Sequence, residues 1–151
     1  MRILALDIGT KRIGVAFADT KVRIAIPRGM IPVDGNELPA IAKWFRLEKA
    51  DLIVSGLPRN SQGVETQQTQ LVREFIDKLK TYFSEQEKTT LTVRFQDESL
   101  TSVAAESLFH NEVSRADRAA GKVDTEAATI ILQDFLESTN FEQLEKEIHG
   151  A

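Results

Sequence analysis

Three acidic positions in this sequence are spaced so that a fold could bring them together: Asp7, the pair Asp97 and Glu98, and Asp124. Asp7 stops the apolar run Ile3 to Leu6, and Gly9, Lys11, Arg12 and Gly14 follow it. A carboxylate at the end of a buried run is costly unless a metal ion, a cation or hydrogen-bond donors pair with it. Gly9 and Gly14 would let backbone or ligand come close. Asp97 and Glu98 end a second apolar stretch. Asp124 stands above Ala127, Ala128, Ile131, Leu132 and Phe135 at helical spacing. Three acids held that close cannot all stay ionised unless cations neutralise them. Two divalent ions roughly 3.5–4 Å apart would do so, and that arrangement serves in-line displacement at a phosphodiester.

Each position also has a plainer reading. Asp7 could start an Asp-x-Gly turn, and Asp124 could be a simple helix N-cap. Alternation puts Asp97, not Glu98, on the face of Leu91, Val93 and Phe95, so periodicity by itself favours Asp97 as the buried acid. Arg59, Arg115, Arg118 and Lys122 are of a type that is most often just solvated; placement in loops at the rim near the acids is what raises them. His110 reads as a surface or packing residue rather than a catalytic one.

The elements that must position these groups follow from the apolar patterning. Both faces of Ile3–Leu6 are apolar, which suits a central strand covered on both sides. Residues 12–18 alternate as a second strand, joined to the first by a short link at Gly9–Lys11. Residues 23–31 read as a third strand, at an edge because Pro27 cannot donate to a ladder. A helix is expected over 36–49, capped by Asn36 and presenting Leu38, Ile41, Ala42 and Phe45, with Trp44 and Leu47 packing beside that stripe. Leu52-Ile53-Val54 should then form a strand parallel to the first, since a helix separates them. Gly56 to Gly63 is a loop by composition. The clearest helical period runs from Val64 through Leu71, Val72, Phe75, Ile76, Leu79 and Tyr82 to Phe83. A fifth strand covers 89–96. A short helix capped by Thr101 or Ser102 is expected to run to about Phe109, residues 111–123 read as irregular, and the last helix as Asp124–Leu136. If strands one, four and five run parallel, their C-terminal ends share the edge at which open α/β sheets bind ligands.

Composition narrows the chemistry. The 151 residues suit one domain, and the 42% apolar content supports a globular core. With no cysteine there is neither a disulfide nor a thiolate zinc site, and His110 and His149 lie far apart in sequence, so a metal would sit on oxygen ligands, as Mg²⁺ or Mn²⁺ does. Net charge is −4, which argues against a dedicated nucleic-acid binder, yet its distribution leaves room for a phosphate-facing surface. Residues 1–30 carry six Lys/Arg against two Asp, whereas residues 121–151 carry two Lys against seven Asp/Glu. No apolar run approaches membrane-spanning length and no signal-peptide pattern opens the chain, so a cytoplasmic location without membrane contact is expected.

Four segments, taken in order, resemble the motifs of one family. They are Asp7-Ile8-Gly9-Thr10-Lys11-Arg12-Ile13-Gly14; Gly56-Leu57-Pro58-Arg59-Asn60 with Gly63; Asp97-Glu98-Ser99-Leu100-Thr101-Ser102; and Lys122-Val123-Asp124 followed by Ala127-Ala128 and Ile130-Ile131-Leu132. The chain resembles the YqgF-type (RuvX-like) pre-16S rRNA nucleases, a branch of the ribonuclease H-like superfamily related to Holliday junction resolvases. The resemblance implies an α/β, ribonuclease H-like fold: a five-stranded mixed sheet of three antiparallel N-terminal strands and two parallel ones, flanked by helices. It makes residues 1–137 the nuclease domain, followed by what the residues themselves read as an acidic C-terminal tail over 138–151. It carries the catalytic, metal-binding acids onto Asp7, Glu98 and Asp124, choosing Glu98 over Asp97. It assigns Gly9, Gly14, Gly56 and Pro58 to structural loops. One departure stands out: the family usually has Arg where this chain has Ser99.

The expected function is a Mg²⁺- or Mn²⁺-dependent nuclease that cuts structured nucleic acid, RNA such as pre-16S rRNA foremost and branched DNA second. Lys11, Arg12, Arg59 and Lys122 would hold backbone phosphates, leaving selectivity to substrate shape. The protein would act as a monomer or weak homodimer. Two rivals remain: a nucleic-acid-binding or ribosome-assembly module that keeps the acids but does not turn over, and an ATPase, because Asp-Ile-Gly-Thr also resembles the phosphate-binding opening of the actin, Hsp70 and sugar-kinase proteins. Those enclose nucleotide between two such domains, and this chain supplies one.

Overall fold

The structure is a computed structural model and describes residues 1–98 and 122–149. Five strands form one sheet: β1 (Arg2–Ile8), β2 (Arg12–Asp19), β3 (Ile26–Pro32), β4 (Leu52–Leu57) and β5 (Val93–Asp97), in the order β3-β2-β1-β4-β5. β1–β2 and β2–β3 pair antiparallel, and β1–β4 and β4–β5 pair parallel. The mixed five-stranded sheet is therefore the one expected, with β3 at an edge and β4 parallel to β1. The helices among the described residues are α1 (Glu37–Leu47), α2 (Gln67–Gln86), α3 (Lys122–Ser138) and α4 (Phe141–His149).

The sheet carries a core on each face, and β1 feeds both because its two alternating faces are apolar. Leu4 and Leu6 join Ile41 and Ala42 of α1 and Val72, Ile76, Leu79 and Phe83 of α2. Ile3 and Ala5 join Ala128, Ile131, Leu132 and Phe135 of α3. α3 lies against β1 to β5, and Gln133 fastens it to the start of β3 by accepting the Ala25 N–H at 3.0 Å. The β1–β2 hairpin depends on Gly9, whose N–H donates to the Arg12 carbonyl at 3.0 Å. A Cβ there would sit 2.7 Å from that same carbonyl oxygen, closer than backbone contacts allow.

Several expectations shift. α2 starts at Gln67, capped by a reciprocal Thr66–Thr69 box, so Val64 precedes the helix and is 54% exposed. Leu71 sits on its outer side, because a stripe extended back to Val64 rotates the inferred face. Leu47 at the end of α1 is exposed, while Trp44 lies over Gly29 of β3. Asn36 does precede α1, but its side chain makes no capping bond; its carbonyl accepts the Ala40 N–H. Residues 138–151 were expected as a tail, yet α4 seats Leu144 in the second core and sets Phe141 edge-on to Phe135. Its acidic residues mask an apolar stripe one side wide. The expected short helix to Phe109 and the irregular stretch before Lys122 lie outside the described residues.

Candidate functional site

The alternation that sorts β1 into two cores also sorts the acids. Asp7 follows Ile3 and Ala5 at every second position, which puts it on the α3 face, where it is half-buried. Its partner across the β1–β2 hairpin is Gly14. On the other side, the register that pairs Leu6 with Ser55 puts Gly56 at the level of Asp7. The carboxylate thus stands between two residues that have no side chain. Arg12, two residues from Gly14 on β2, shares this face by the same alternation and lies diagonally across from Asp7, a separation long side chains can span. Lys11 is exposed in the hairpin link.

β5 delivers its two acids to opposite faces. Val93 and Phe95 pack in the α1–α2 core, so Asp97 belongs with them and Glu98 with α3. The Glu98 N–H continues the ladder by donating to the Leu57 carbonyl at 3.2 Å. Strand spacing separates β1 from β5 by roughly 10 Å, too far for the two backbones to bring their acids into contact. The Glu98 side chain reaches over the intervening strand: a Cβ placed on Gly56 would be 2.9 Å from Glu98 Oε1 and 2.6 Å from Ile131 Cδ1 of α3. The carboxylate lies in space that any other residue at 56 would fill.

Asp97 is directed elsewhere. It is 61% exposed, and its Oδ1 accepts a hydrogen bond from Arg59 Nε at 3.1 Å. Asp97 does share the face of Val93 and Phe95, as periodicity predicts, but at the strand end it is exposed rather than buried. Arg59 also donates through Nη1 to the Gly63 carbonyl at 3.2 Å. Pro58, ahead of it, accepts a hydrogen bond from the buried Thr69 hydroxyl, which ties the loop to α2. The Asp97–Arg59 pair joins residues 38 apart and has no local sequence signal.

α3 begins at Lys122, so Asp124 falls inside its first turn rather than at the cap. Helical spacing sets Asp124 on one stripe with Ala128, Ile131 and Phe135, the residues that cover the Asp7 face. The side chains of Lys122 and Asp124 lie outside the described residues, as do Ser99, His110, Arg115 and Arg118.

Among the described residues no three acidic or histidine groups gather closely enough to hold a metal ion. The donors nevertheless fit one. Asp7 and Glu98 both offer hard oxygen donors on one sheet face, and the glycine cradle at 56 admits a carboxylate where a Cβ would stand. The helix that carries Asp124 packs over the same face of the sheet. Among the described residues no helix is long and apolar enough to cross a membrane.

Comparison with known proteins gives four findings. A family model described as "RuvX: Holliday junction resolvase" matches residues 1–138. A protein of Chloroflexus aurantiacus named "Putative pre-16S rRNA nuclease" is 39% identical over 139 residues, covering 90% of this chain and 86% of its own length. One of the same name from Desulforamulus reducens is 38% identical over 144 residues, covering 91% and 98%. Among solved structures, the fowlpox virus resolvase in complex with Holliday junction DNA superposes with a TM-score of 0.54 at 16% identity, covering 91% of this chain and 98% of that one, a likeness of fold.

Proposed function

Since this chain belongs to the RuvX family, we propose that it is a metal-dependent nuclease that hydrolyses phosphodiester bonds in structured RNA, a 16S rRNA precursor, at its 5′ end, being the substrate; its relatives' name points to pre-16S rRNA. The observation that carries this reading is the carboxylate of Glu98 lying over Gly56 of β4, the strand between β5, which Glu98 follows, and β1, which carries Asp7. Carboxylate oxygens from Asp7 and Glu98 on one face of the sheet, the second in space kept free of a side chain at Gly56, are the hard donors that a divalent cation takes.

In this reading Asp7, Glu98 and Asp124 hold Mg²⁺ or Mn²⁺. A bound divalent cation supplies a water of lowered pKa and positive charge for the departing 3′ oxygen. Asp7 and Glu98 fix where that charge sits relative to the sheet edge. Lys11, Arg12, Arg59 and Lys122 draw in backbone phosphates, which positions the substrate without reading its sequence. Contacts of that kind carry no sequence information, so selectivity falls to the shape of the folded RNA.

The test is incubation of the purified protein with a labelled 16S-precursor 5′ leader in Mn²⁺, beside Asp7→Asn prepared identically. Cleavage by the wild type that the variant lacks supports the reading. Equal cleavage by both assigns the activity to a contaminant. Binding without cleavage in any metal replaces the nuclease by a binding module, and cleavage of a four-way DNA junction in preference to the leader replaces the substrate.

A further inference from the structure

We propose that Asp97 is a positioning residue that aims Arg59 at a substrate phosphate; this rests on the nuclease reading above. The guanidinium is held on two sides. Nε donates to Asp97 Oδ1 at 3.1 Å and Nη1 to the Gly63 carbonyl at 3.2 Å, while Nη2 has no acceptor among the described residues. The scaffold behind it is built independently of Arg59. The Asn60 N–H donates to the Val64 carbonyl and the Gly63 N–H to the Asn60 carbonyl. The Asn60 side chain accepts from the N–H groups of Gln62 at 3.0 Å and Val64 at 2.9 Å, and Gly63 takes the positive φ of 76° that the turn requires. The loop is thus pre-formed, and Asp97 is what ties its cation to the sheet.

That tie has a place in the site. Leu57 of β4 pairs with Asp97 of β5, and Glu98 follows Asp97 in the chain. One chain segment therefore carries the acid that lies over Gly56 and the acid that grips Arg59. A guanidinium with its plane fixed loses little freedom on meeting a phosphate, and its remaining N–H groups form a fork that suits phosphate oxygens. The pair is too exposed to be explained by stability: the Arg59 side chain is 29% exposed and that of Asp97 61%.

The sign of the effect separates positioning from simple electrostatics. Deleting a carboxylate beside a phosphate site should tighten binding through charge alone. Positioning requires the opposite. The experiment uses a fluorescein-labelled RNA hairpin with a 5′ single-stranded extension and, in parallel, a four-way DNA junction. Dissociation constants are measured against salt, and KM and kcat in Mn²⁺, for wild type, Asp97→Asn, Asp97→Glu, Arg59→Ala, Arg59→Ala/Asp97→Asn and Asp7→Asn. The expected result is an unchanged melting temperature for Asp97→Asn, with Kd and KM raised about tenfold and kcat within about twofold of wild type. Asp97→Glu recovers most of the loss. Arg59→Ala shows the same loss with a salt slope shallower by about one, and Asp97→Asn adds nothing to it. Tighter or unchanged binding by Asp97→Asn overturns the proposal, as does a loss that persists without Arg59 or falls on kcat alone. If Asp7→Asn cleaves like wild type, the nuclease reading fails, while the binding cycle still decides whether Asp97 acts through Arg59. A wild type that binds neither probe overturns both.

Discussion

Gly56 and Glu98 occupy one another's space: the position of a Cβ on Gly56 lies 2.9 Å from Glu98 Oε1. Glycine is needed at 56 for what must pass over it and not for its backbone angles. Were the acid on β4 itself, any residue could follow. Because it comes from β5, two strands from Asp7, the intervening strand must give up its side chain at that level.

Gly56→Ala should therefore fail in two separable ways. The added methyl meets Ile131 Cδ1 at 2.6 Å and Glu98 Oε1 at 2.9 Å. The first contact is overpacking, which costs about 1–3 kcal/mol of stability. The second displaces the carboxylate by on the order of 1 Å, which costs about 100-fold in kcat. Adding Ile131→Val removes Cδ1 and should restore the melting temperature without restoring cleavage. Thermal melts and single-turnover cleavage on both variants check this; recovery of activity along with stability would show that Glu98 had never been moved.

Glu98 should tolerate neither neutralisation nor shortening. Glu98→Gln keeps the shape and removes the charge, so Mn²⁺ titration should show weakened binding and cleavage should fall by about 10³-fold or more. Glu98→Asp keeps the charge and loses one methylene. Its carboxylate no longer spans Gly56, so it should be almost as inactive. Near-normal cleavage by Glu98→Asp would mean that reach across the glycine is not what the site requires.

The sheet was legible because β1 is apolar on both faces and Pro27 marks an edge. Asp7 was legible as the first polar residue of a buried run. The choice between Asp97 and Glu98 was not, since alternation assigns faces only relative to a reference, and which face carries Asp7 depends on pairing between strands far apart in sequence. Ile3 and Ala5 pack with α3, and Val93 with α1 and α2; once that is known, the same alternation puts Glu98, and not Asp97, on the face of Asp7. The Asp97–Arg59 pair was invisible for a related reason, being set by the Leu57–Asp97 register. α4 was misjudged because its acidic residues dominate the composition while Phe141, Leu144 and Ile148, the residues that pack, are few.

The packing of α4 predicts a cost for removing it. Leu144 is 5% exposed in the second core, and Phe141 stacks edge-on against Phe135 with ring centroids 6.1 Å apart. Leu144→Ala should destabilise by about 2–4 kcal/mol, as buried leucines do. Glu142→Ala, which breaks only the exposed pair with Lys146, should change stability by no more than about 0.5 kcal/mol. Chemical denaturation of the two variants checks the contrast, and equal, small effects would return 138–151 to the status of a tail.

Asp19 gives a pH dependence whose sign can be worked out. Its carboxylate accepts the Lys21 N–H at 2.9 Å, and that bond, aided by the positive charges of the N-terminus, Lys21 and Arg2, holds its pKa below the ordinary 3.8 against a smaller opposing effect of burial. The folded protein therefore binds this proton less readily than the unfolded chain does. The stabilisation is fully present above the unfolded value and disappears as pH falls through the lower, folded one. Asp19→Ala should lower the melting temperature at pH 7, and the gap to wild type should narrow only once the pH drops below 3.8. Melting curves from pH 7 to pH 2 test this, and a gap that shrinks between pH 7 and pH 5 would trace the effect to some other group.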